Sequence, residues 1–253
     1  MCYKDRTDHN TKIGKFSIQS FGTRSIARMF QWIVEKILQG KRLAVATVID
    51  RSGSGPREPG AMMARVLGGP ARGTVGGGIL EVRTQAAAET VLRGGPSRML
   101  RFDLSAPELS EGGMVCGGRV EILVAGLDRT DPDQARIFAK LGECLDTGRR
   151  VYLLTSMRRH GDEDEVEPGF GLVDGDNVDW GSLDERFRDL AQIQGLRQAD
   201  GPTLIEDKTA RCFIQPVDPR ARVYIAGAGH VGSALAGMCS LLTYPFVVID
   251  DRD

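Results

Sequence analysis

The C-terminal part of the sequence contains residues that could bind a dinucleotide. After an apolar run, Gly227, Gly229 and Gly232 form the pattern G-x-G-x-x-G. Asp250 closes the next apolar run. In a dinucleotide-binding βαβ unit the glycines allow a tight turn, close approach to the pyrophosphate and helix–strand packing, while the acidic residue binds the ribose. His230 lies inside the pattern, where it either contacts a ligand or only fills its position. The pattern predicts NAD(P) binding, and a Rossmann-like unit that binds nothing stays open as the alternative.

A second glycine-rich segment, Thr74-Val-Gly-Gly-Gly78, precedes a predicted helix. Gly76, Gly77 and Gly78 would present backbone N–H groups at the helix N-terminus, where the helix dipole adds partial positive charge. A phosphate or a carboxylate fits such a position. The alternative is a tight strand-to-helix turn with close packing. Because three successive glycines exceed what a simple turn requires, we favour anion binding.

The segment Ser52-Gly-Ser-Gly-Pro-Arg-Glu-Pro-Gly-Ala61 places one arginine between two prolines. Prolines restrict the backbone and so preorganise Arg57, whose guanidinium could clamp a phosphate with two hydrogen bonds. Ser52 and Ser54 add hydroxyl groups to the same loop. The alternative is a surface loop with a solvated Arg57.

Cys116 stands before Gly117 and Gly118. Glycines beside a thiol let a ligand or another backbone come close to the sulfur. Such a thiol could face soft sulfur or metal-dithiolene chemistry, or act as a nucleophile if its pKa is lowered. A small buried hydrophobic side chain is the equally weighted alternative.

Bulk composition excludes several function classes. The 253-residue chain has a net charge of −1 and 6% aromatic residues, which does not favour nucleic acid as a partner. The sequence has no apolar run that approaches the ~20 residues of a membrane span, and no hydrophobic signal core in residues 1–25. Five scattered cysteines favour reduced thiols, so we expect a cytoplasmic protein. The three histidines lie far apart, so a metal site is not expected.

Helical spacing of apolar residues predicts helices over residues 26–39 and from about residue 133 to Gly148. Each helix leads into a predicted strand, and the segments 35–47 and 143–155 align at a constant offset. This repeat predicts two related halves, 26–127 and 128–219, with the chemistry concentrated in the first. Residues 1–25 are predicted to be a disordered lead-in, and residues 220–253 to be the start of an incomplete Rossmann-like domain.

Four motifs in the same order resemble the XdhC/CoxI family, the xanthine dehydrogenase accessory proteins. They are Ser52-Gly-Ser-Gly-Pro-Arg-Glu-Pro-Gly-Ala-Met62, Gly73-Thr-Val-Gly-Gly-Gly-Ile-Leu-Glu81, Met114-Val-Cys-Gly-Gly118, and Ile225-Ala-Gly-Ala-Gly-His-Val-Gly232 with Asp250. The resemblance implies an α/β fold, with a family-specific two-half N-terminal domain over 26–219 followed by a truncated Rossmann-like βαβ unit. The sequence departs from the family pattern at Thr243-Tyr-Pro-Phe246 and in stopping after the second strand of that unit.

The resemblance also implies a function: binding of molybdenum cofactor (molybdopterin), help with its sulfuration and protection, and insertion into a molybdenum hydroxylase such as xanthine dehydrogenase. A cysteine desulfurase and a second copy of the chain are further expected partners. Together with the residue chemistry, the resemblance assigns the sulfur or metal-facing role to Cys116. It assigns cofactor binding to Ser52, Ser54, Arg57, Thr74, Gly76, Gly77, Gly78, Glu81, Gly117, Gly118, Gly227, Gly229, His230, Gly232 and Asp250.

Two other functions stay open. One is an NAD(P)-dependent oxidoreductase, in which Asp250 would favour NAD, although no residue for hydride chemistry is identifiable. The other is a nucleotidyltransferase acting on molybdopterin, although a clear pair of metal-binding carboxylates is missing. A non-catalytic cofactor chaperone is favoured over both. Because two parallel strands with one helix cannot cover both faces of a parallel sheet, residues 221–253 are predicted to be mobile, packed on the N-terminal domain, or completed by another chain in a swapped dimer.

Overall fold

The computed structural model describes residues 2–4, 26–104, 117–159, 164–175, 177–188, 201–206, 210–218, 223–242, 244 and 246–250. The helices are Ile26–Leu38 (α1), Gly78–Leu92 (α2), Pro132–Asp146 (α3) and His230–Leu241 (α4), and a 3₁₀ turn spans Glu185–Phe187. The strands are Cys2–Lys4 (β1), Leu43–Ser52 (β2), Met62–Val66 (β3), Arg72–Gly73 (β4), Arg98–Asp103 (β5), Arg119–Leu127 (β6), Val151–Arg159 (β7), Val166–Asp174 (β8), Asn177–Asp179 (β9), Thr203–Glu206 (β10), Ala210–Val217 (β11), Val223–Ala226 (β12) and Phe246–Asp250 (β13).

The chain forms two compact units, residues 26–218 and residues 1–25 with 219–253. The larger unit contains two five-stranded antiparallel sheets. The first has the strand order β4-β3-β2-β6-β5, and the second has the order β9-β8-β7-β11-β10. Matched in chain order, these two arrangements are the same. The predicted two-half α/β domain is therefore confirmed, while the exact borders of its halves stay a prediction.

The larger core lies between the two halves. It explains why apolar residues recur at helical spacing in the sequences of α1 and α3. Phe30 and Ile33 of α1 are buried in it together with Phe138 and Leu141 of α3. Phe138 also packs edge-to-face on Phe170 of β8, with ring centroids 5.5 Å apart. Apolar side chains recur at helical spacing in α1 and α3 because each helix buries one face in this shared core.

A separate core lies between the first sheet and α2. Leu80 and Val91 of α2 are fully buried there, beside Val48 of β2 and Ile122 of β6. In the second half the 3₁₀ turn occupies the corresponding place in chain order. Helix α2 matters for function because its N-terminus carries the Gly76–Gly78 segment.

The smaller unit contains the βαβ arrangement that the glycine pattern predicted. Strand β12 pairs in parallel with β13, and α4 connects them. The βαβ arrangement is therefore present, while its assignment as a Rossmann-like unit stays a prediction. Strand β1 pairs antiparallel with the other edge of β13.

Strand β1 differs from the prediction of a disordered lead-in over residues 1–25. An unpaired strand edge presents free N–H and C=O groups, and a short extended segment can satisfy them. Residues 5–25 lie outside the described residues. Within the described parts of the chain, no helix is both long and apolar enough to cross a membrane.

Candidate active surface built from three loops

Two of the predicted motifs meet where β2 ends and β6 begins. Ser52 is paired with Arg119 in the sheet, so the residues beyond these two positions lie side by side. A Cβ atom on Gly118 would overlap the carbonyl oxygens of Ser52 and Ser54, and one on Gly53 would lie 3.1 Å from the carbonyl oxygen of Gly117. Glycine is required at 118 because two backbone segments touch there.

The third motif joins the same surface through Pro56. A Cβ atom on Gly76 would lie 2.5 Å from Pro56 Cγ. The loop 52–57 therefore lies between the segment 74–78 and the turn at Gly117 and Gly118. The structure brings together three motifs that lie far apart in the chain, since Ser52 and Gly118 are 66 positions apart (118 − 52).

The glycine loop before α2 has a conformation that other residues rarely adopt. The φ angles of Gly76, Gly77 and Gly78 are 136°, 77° and 54°. Three successive positive φ values explain why the sequence has three glycines here. These φ values are compatible with both predictions for the segment, a tight strand-to-helix turn and a backbone that exposes N–H groups to an anion.

Glu81 holds this loop from inside. The Thr74 hydroxyl donates to Glu81 Oε2 at 2.6 Å, and the Gly77 amide donates to the same oxygen at 3.1 Å. The Gly76 amide donates to Thr74 Oγ1 at 3.1 Å. The amides of Gly76 and Gly77, which were predicted to bind an external anion, thus donate to oxygen atoms of the chain itself. The amides of Gly78 and the next two residues, in the first turn of α2, lack intrahelical acceptors by the geometry of an α-helix.

Arg57, in the loop 52–57, and Arg51, near the end of β2, make different contacts. Arg57 is exposed and forms no ion pair with a described residue. Arg51 pairs with Glu58 at 2.9 Å, and its Nη1 donates to the Gly55 carbonyl oxygen at 3.4 Å. Its aliphatic stem packs so closely that a Cβ on Gly55 would lie 2.7 Å from Arg51 Cδ. Arg51 could not be singled out from the sequence because its residue type does not distinguish it from the surface arginines, although it stands near the end of β2, directly before the loop.

Cys116 lies outside the described residues, so its sulfur or metal-facing role stays a prediction. The two glycines that follow are placed: Gly117 is exposed and Gly118 is buried. The Gly118 carbonyl oxygen accepts a 2.7 Å hydrogen bond from the Leu104 amide, which ties this turn to the end of β5. Ser52 and Ser54 are exposed on the same surface.

Three other thiols are placed by the structure and are buried: Cys144, Cys212 and Cys239. Burial raises the pKa of Cys212 to about 12, and burial also raises the pKa of Cys144. A thiol with a raised pKa is a poor nucleophile. Among the described residues, no group of three or more His, Cys, Asp or Glu side chains could hold a metal ion.

The predicted nucleotide motif forms its own group of residues in the smaller unit. The Gly227 amide donates to the Ile249 carbonyl oxygen at 2.7 Å. A Cβ atom on Gly232 would overlap the Gly227 carbonyl oxygen, so α4 packs on its strand as the pattern predicts. The Asp250 carboxylate accepts a hydrogen bond from the Ala228 amide in the glycine loop.

The two remaining residues of the nucleotide motif stand at the start of α4. Gly229 is the N-cap of the helix, and His230 is exposed in its first turn. The glycine pattern therefore leads into a helix N-terminus as predicted, while nucleotide binding there stays a prediction.

Comparison with known proteins agrees with the motifs. Residues 37–103, which include the loop 52–57 and the segment 74–81, match the XdhC and CoxI family. A probable xanthine dehydrogenase subunit from Bacillus subtilis is 25% identical over 232 residues, covering 88% of this chain and 64% of that protein. The crystal structure of a xanthine dehydrogenase from Bacillus halodurans has the same fold, with a TM-score of 0.64 at 23% identity over 90% of this chain and 63% of that one. This chain spans less than two thirds of the length of either relative. The resemblance of this chain to the XdhC/CoxI family is therefore confirmed, and residues 37–103 carry the family match.

Proposed function

We propose that this chain is an accessory protein that binds molybdenum cofactor, assists its sulfuration and protection, and delivers it to a xanthine dehydrogenase-type molybdenum hydroxylase. The observation that carries the proposal is the meeting of the loop 52–57, the Gly76–Gly78 segment and the Gly117–Gly118 turn on one surface. The family match over residues 37–103 supports it, because two of these three segments lie inside the match. The relative from Bacillus subtilis supports the kind of enzyme partner.

The residues present fit the phosphate end of a pterin cofactor. Arg57 is exposed, and the residue before it, Pro56, lies against Gly76. A guanidinium and helix N-terminal amides are the groups that proteins use most often for phosphate. In this proposal Arg57 and the first-turn amides of α2 bind the phosphate.

Glu81 limits where that phosphate can lie. Its carboxylate already accepts hydrogen bonds from Thr74 and Gly77, and two anions repel each other at short distance. We therefore assign Glu81 to shaping the loop, and Gly76 and Gly77 to its conformation. The anion is assigned to the amide of Gly78 and those that follow it. The cofactor itself would supply the dithiolene and metal–sulfur chemistry, and Cys116 is the proposed residue facing that end.

The test compares two arginines that lie near opposite ends of α2. Arg57→Ala removes the proposed phosphate ligand, whereas Arg93→Ala removes an arginine that pairs only with Glu89 in the last turns of the helix among described residues. Because hydrogen bonds to charged groups contribute about 1.5–3 kcal/mol, Arg57→Ala should weaken molybdopterin binding by roughly 10- to 150-fold. Calorimetry of the purified chain with molybdopterin measures the effect. Equal affinities of the wild type, Arg57→Ala and Arg93→Ala would refute the assignment.

NAD(P) binding by the smaller unit is a second candidate, favoured by the strand–glycine loop–helix geometry at Gly227 and Gly232. The hydrogen bond from Ala228 to Asp250 opposes it, because this loop amide and this carboxylate would otherwise serve the dinucleotide. Calorimetry with NAD decides this question, since micromolar binding would establish a nucleotide site. A cysteine desulfurase partner and a homodimer also stay proposals.

A further inference from the structure

The second half of the larger unit touches the first half at Gly60. This residue ends the loop 52–60, called the motif loop below, which contains the loop 52–57 and Arg57. Gln215 Nε2, on β11, donates a hydrogen bond of 3.1 Å to the Gly60 carbonyl oxygen. A Cβ atom on Gly60 would lie 3.2 Å from that nitrogen and 2.7 Å from Cγ of Pro202, the residue before β10. Gly60 also has a φ of 90°, so its backbone conformation and its surroundings both require glycine.

Gly60 is the last residue of the loop 52–60, separated from β3 by Ala61, and it is held on several sides. Its amide donates to the Val48 carbonyl oxygen at 2.8 Å, while its carbonyl oxygen accepts from Gln215. The next amide, that of Ala61, donates to the Glu58 carbonyl oxygen at 3.1 Å. The end of the loop is thus fixed between β2 of its own half and two residues of the other half.

Gln215 is well suited to fix a loop because it is almost completely buried, with 4% of its surface exposed. A buried amide is costly unless it is hydrogen-bonded, and its long side chain must be ordered to reach its partner. The bond to Gly60 therefore constrains both partners. Pro202 is exposed, so its ring contributes by contact with Gly60 and not by filling the core.

We infer that Gln215 and Pro202 are positioning residues for the motif loop, so that the second half of the domain sets the conformation of the loop that carries Arg57. The second half therefore contributes to the geometry of the loop, although the sequence predicted that the chemistry is concentrated in the first half. The consequence for cofactor binding rests on the proposed function, but the structural inference does not. It concerns the conformation of the loop in the chain without any ligand.

An alternative role for Gln215 is to satisfy the interior. Its side chain also lines a small cavity of about 30 Å³ between the halves, together with Thr47 and Thr155. If that were its whole role, replacing it would lower the global stability without loosening the loop selectively. Thr155→Val offers a matched control, because Thr155 is a buried polar residue of the second half on the same cavity, whereas the three atoms nearest to a Cβ on Gly60 all belong to Pro202 and Gln215.

Amide exchange by NMR on the full chain separates these roles. The reporters are the hydrogen-bonded amides of Gly60 and Ala61, and the reference is Val45 in the centre of β2. Gln215→Met keeps the length of the side chain but removes its donor. Because the loss of one hydrogen bond corresponds to about 0.5–1.5 kcal/mol, exchange at Gly60 and Ala61 should become about two- to tenfold faster relative to Val45.

Pro202→Ala provides a second variant that should not affect folding, because the residue is exposed. It should accelerate the same two reporters in the same direction, and Thr155→Val should leave their rates relative to Val45 unchanged. The inference is overturned if Gln215→Met leaves the relative rates at the wild-type value, or if Thr155→Val raises them equally. Absence of molybdopterin binding would refute the proposed function and leave this measurement unaffected.

Discussion

The Thr74 hydroxyl donates a 2.6 Å hydrogen bond to the Glu81 carboxylate, across the glycine loop that opens α2. The same carboxylate oxygen accepts from the amide of Gly77, the N-cap residue of this helix. A carboxylate near a helix N-terminus is stabilised by the helix dipole, and it satisfies an amide that would otherwise have no partner. The loop is therefore closed by the chain itself before any ligand arrives.

Replacing Glu81 should lower the stability of the first half. Glu81→Ala removes the acceptor of two hydrogen bonds, so we expect the free energy of unfolding to fall by about 1–3 kcal/mol. Glu81→Gln keeps one acceptor oxygen without the charge and should lose about half as much. Urea denaturation measures both values. A wild-type midpoint for Glu81→Ala would show that the loop does not depend on this carboxylate.

The contact between the loop 52–57 and the turn at residues 117–118 can be tested with two neighbouring glycines. Gly118→Ala places a methyl group against the backbone of Ser52 and Ser54, which cannot move as a side chain would. We expect a loss of about 1–3 kcal/mol in the free energy of unfolding. Gly117→Ala is the control, since a Cβ there would meet nothing within 4 Å. Thermal unfolding that is the same for both variants would contradict the contact.

The shared core predicts that the two halves of the larger unit unfold together. Phe138→Ala removes a ring that is 1% exposed and packs on Phe170, so it should cost about 3–5 kcal/mol. Leu38→Ala, at an exposed position of α1, should change the stability by less than about 0.5 kcal/mol. Circular dichroism during urea denaturation should show one transition in both variants. Two separate transitions in Phe138→Ala would indicate that the halves are independent.

The pH dependence of stability has an identifiable contribution from Asp184. Its hydrogen bond with Arg186 holds the pKa of the carboxyl at about 2, below the ordinary value of 3.8, although burial acts in the opposite direction. A lowered pKa in the folded state stabilises the protein above pH 3.8, and this contribution is lost as the pH falls through about 2. At pH 7 Asp184→Asn should therefore be less stable than the wild type by about 2 kcal/mol.

The check for Asp184 is urea denaturation of both proteins between pH 7 and pH 2. The difference in the free energy of unfolding should stay constant down to about pH 4 and then shrink. A difference that is independent of pH over this whole range would show that the carboxyl is not linked to folding in this way.

Sequence patterns predicted the helices α1 and α3, the glycine loop and the βαβ arrangement because each depends on local spacing, and the repeat of two distant segments predicted the two halves. The apolar faces of α1 and α3 follow the helical period, and the strand–glycine–helix order of Gly227 to Gly232 is read within ten residues. The contact of Gly118 with Ser52 was not predictable in this way, because it depends on the pairing of β2 with β6.

Two relationships in the candidate site, one local and one long-range, were not predicted from the sequence. Glu81 was assigned to the cofactor, but the structure engages it within its own loop, since the positive φ values of the glycines turn the chain back toward the carboxylate. Gln215 had no motif at all, because its hydrogen bond to Gly60 joins residues of different halves. Only the register of the sheets and the packing of the halves reveal it.

The proposed cofactor site is tested most directly by an NMR titration of the full chain with molybdopterin. Its backbone amide resonances over residues 74–79 report on the loop between β4 and α2, and those of Val223–Ala226 in the smaller unit serve as the internal reference. We predict that the resonances of 74–79, and that of Arg57, shift at saturation while those of β12 do not. If saturating molybdopterin leaves the resonances of 74–79 unmoved, the chain does not hold the cofactor on this surface.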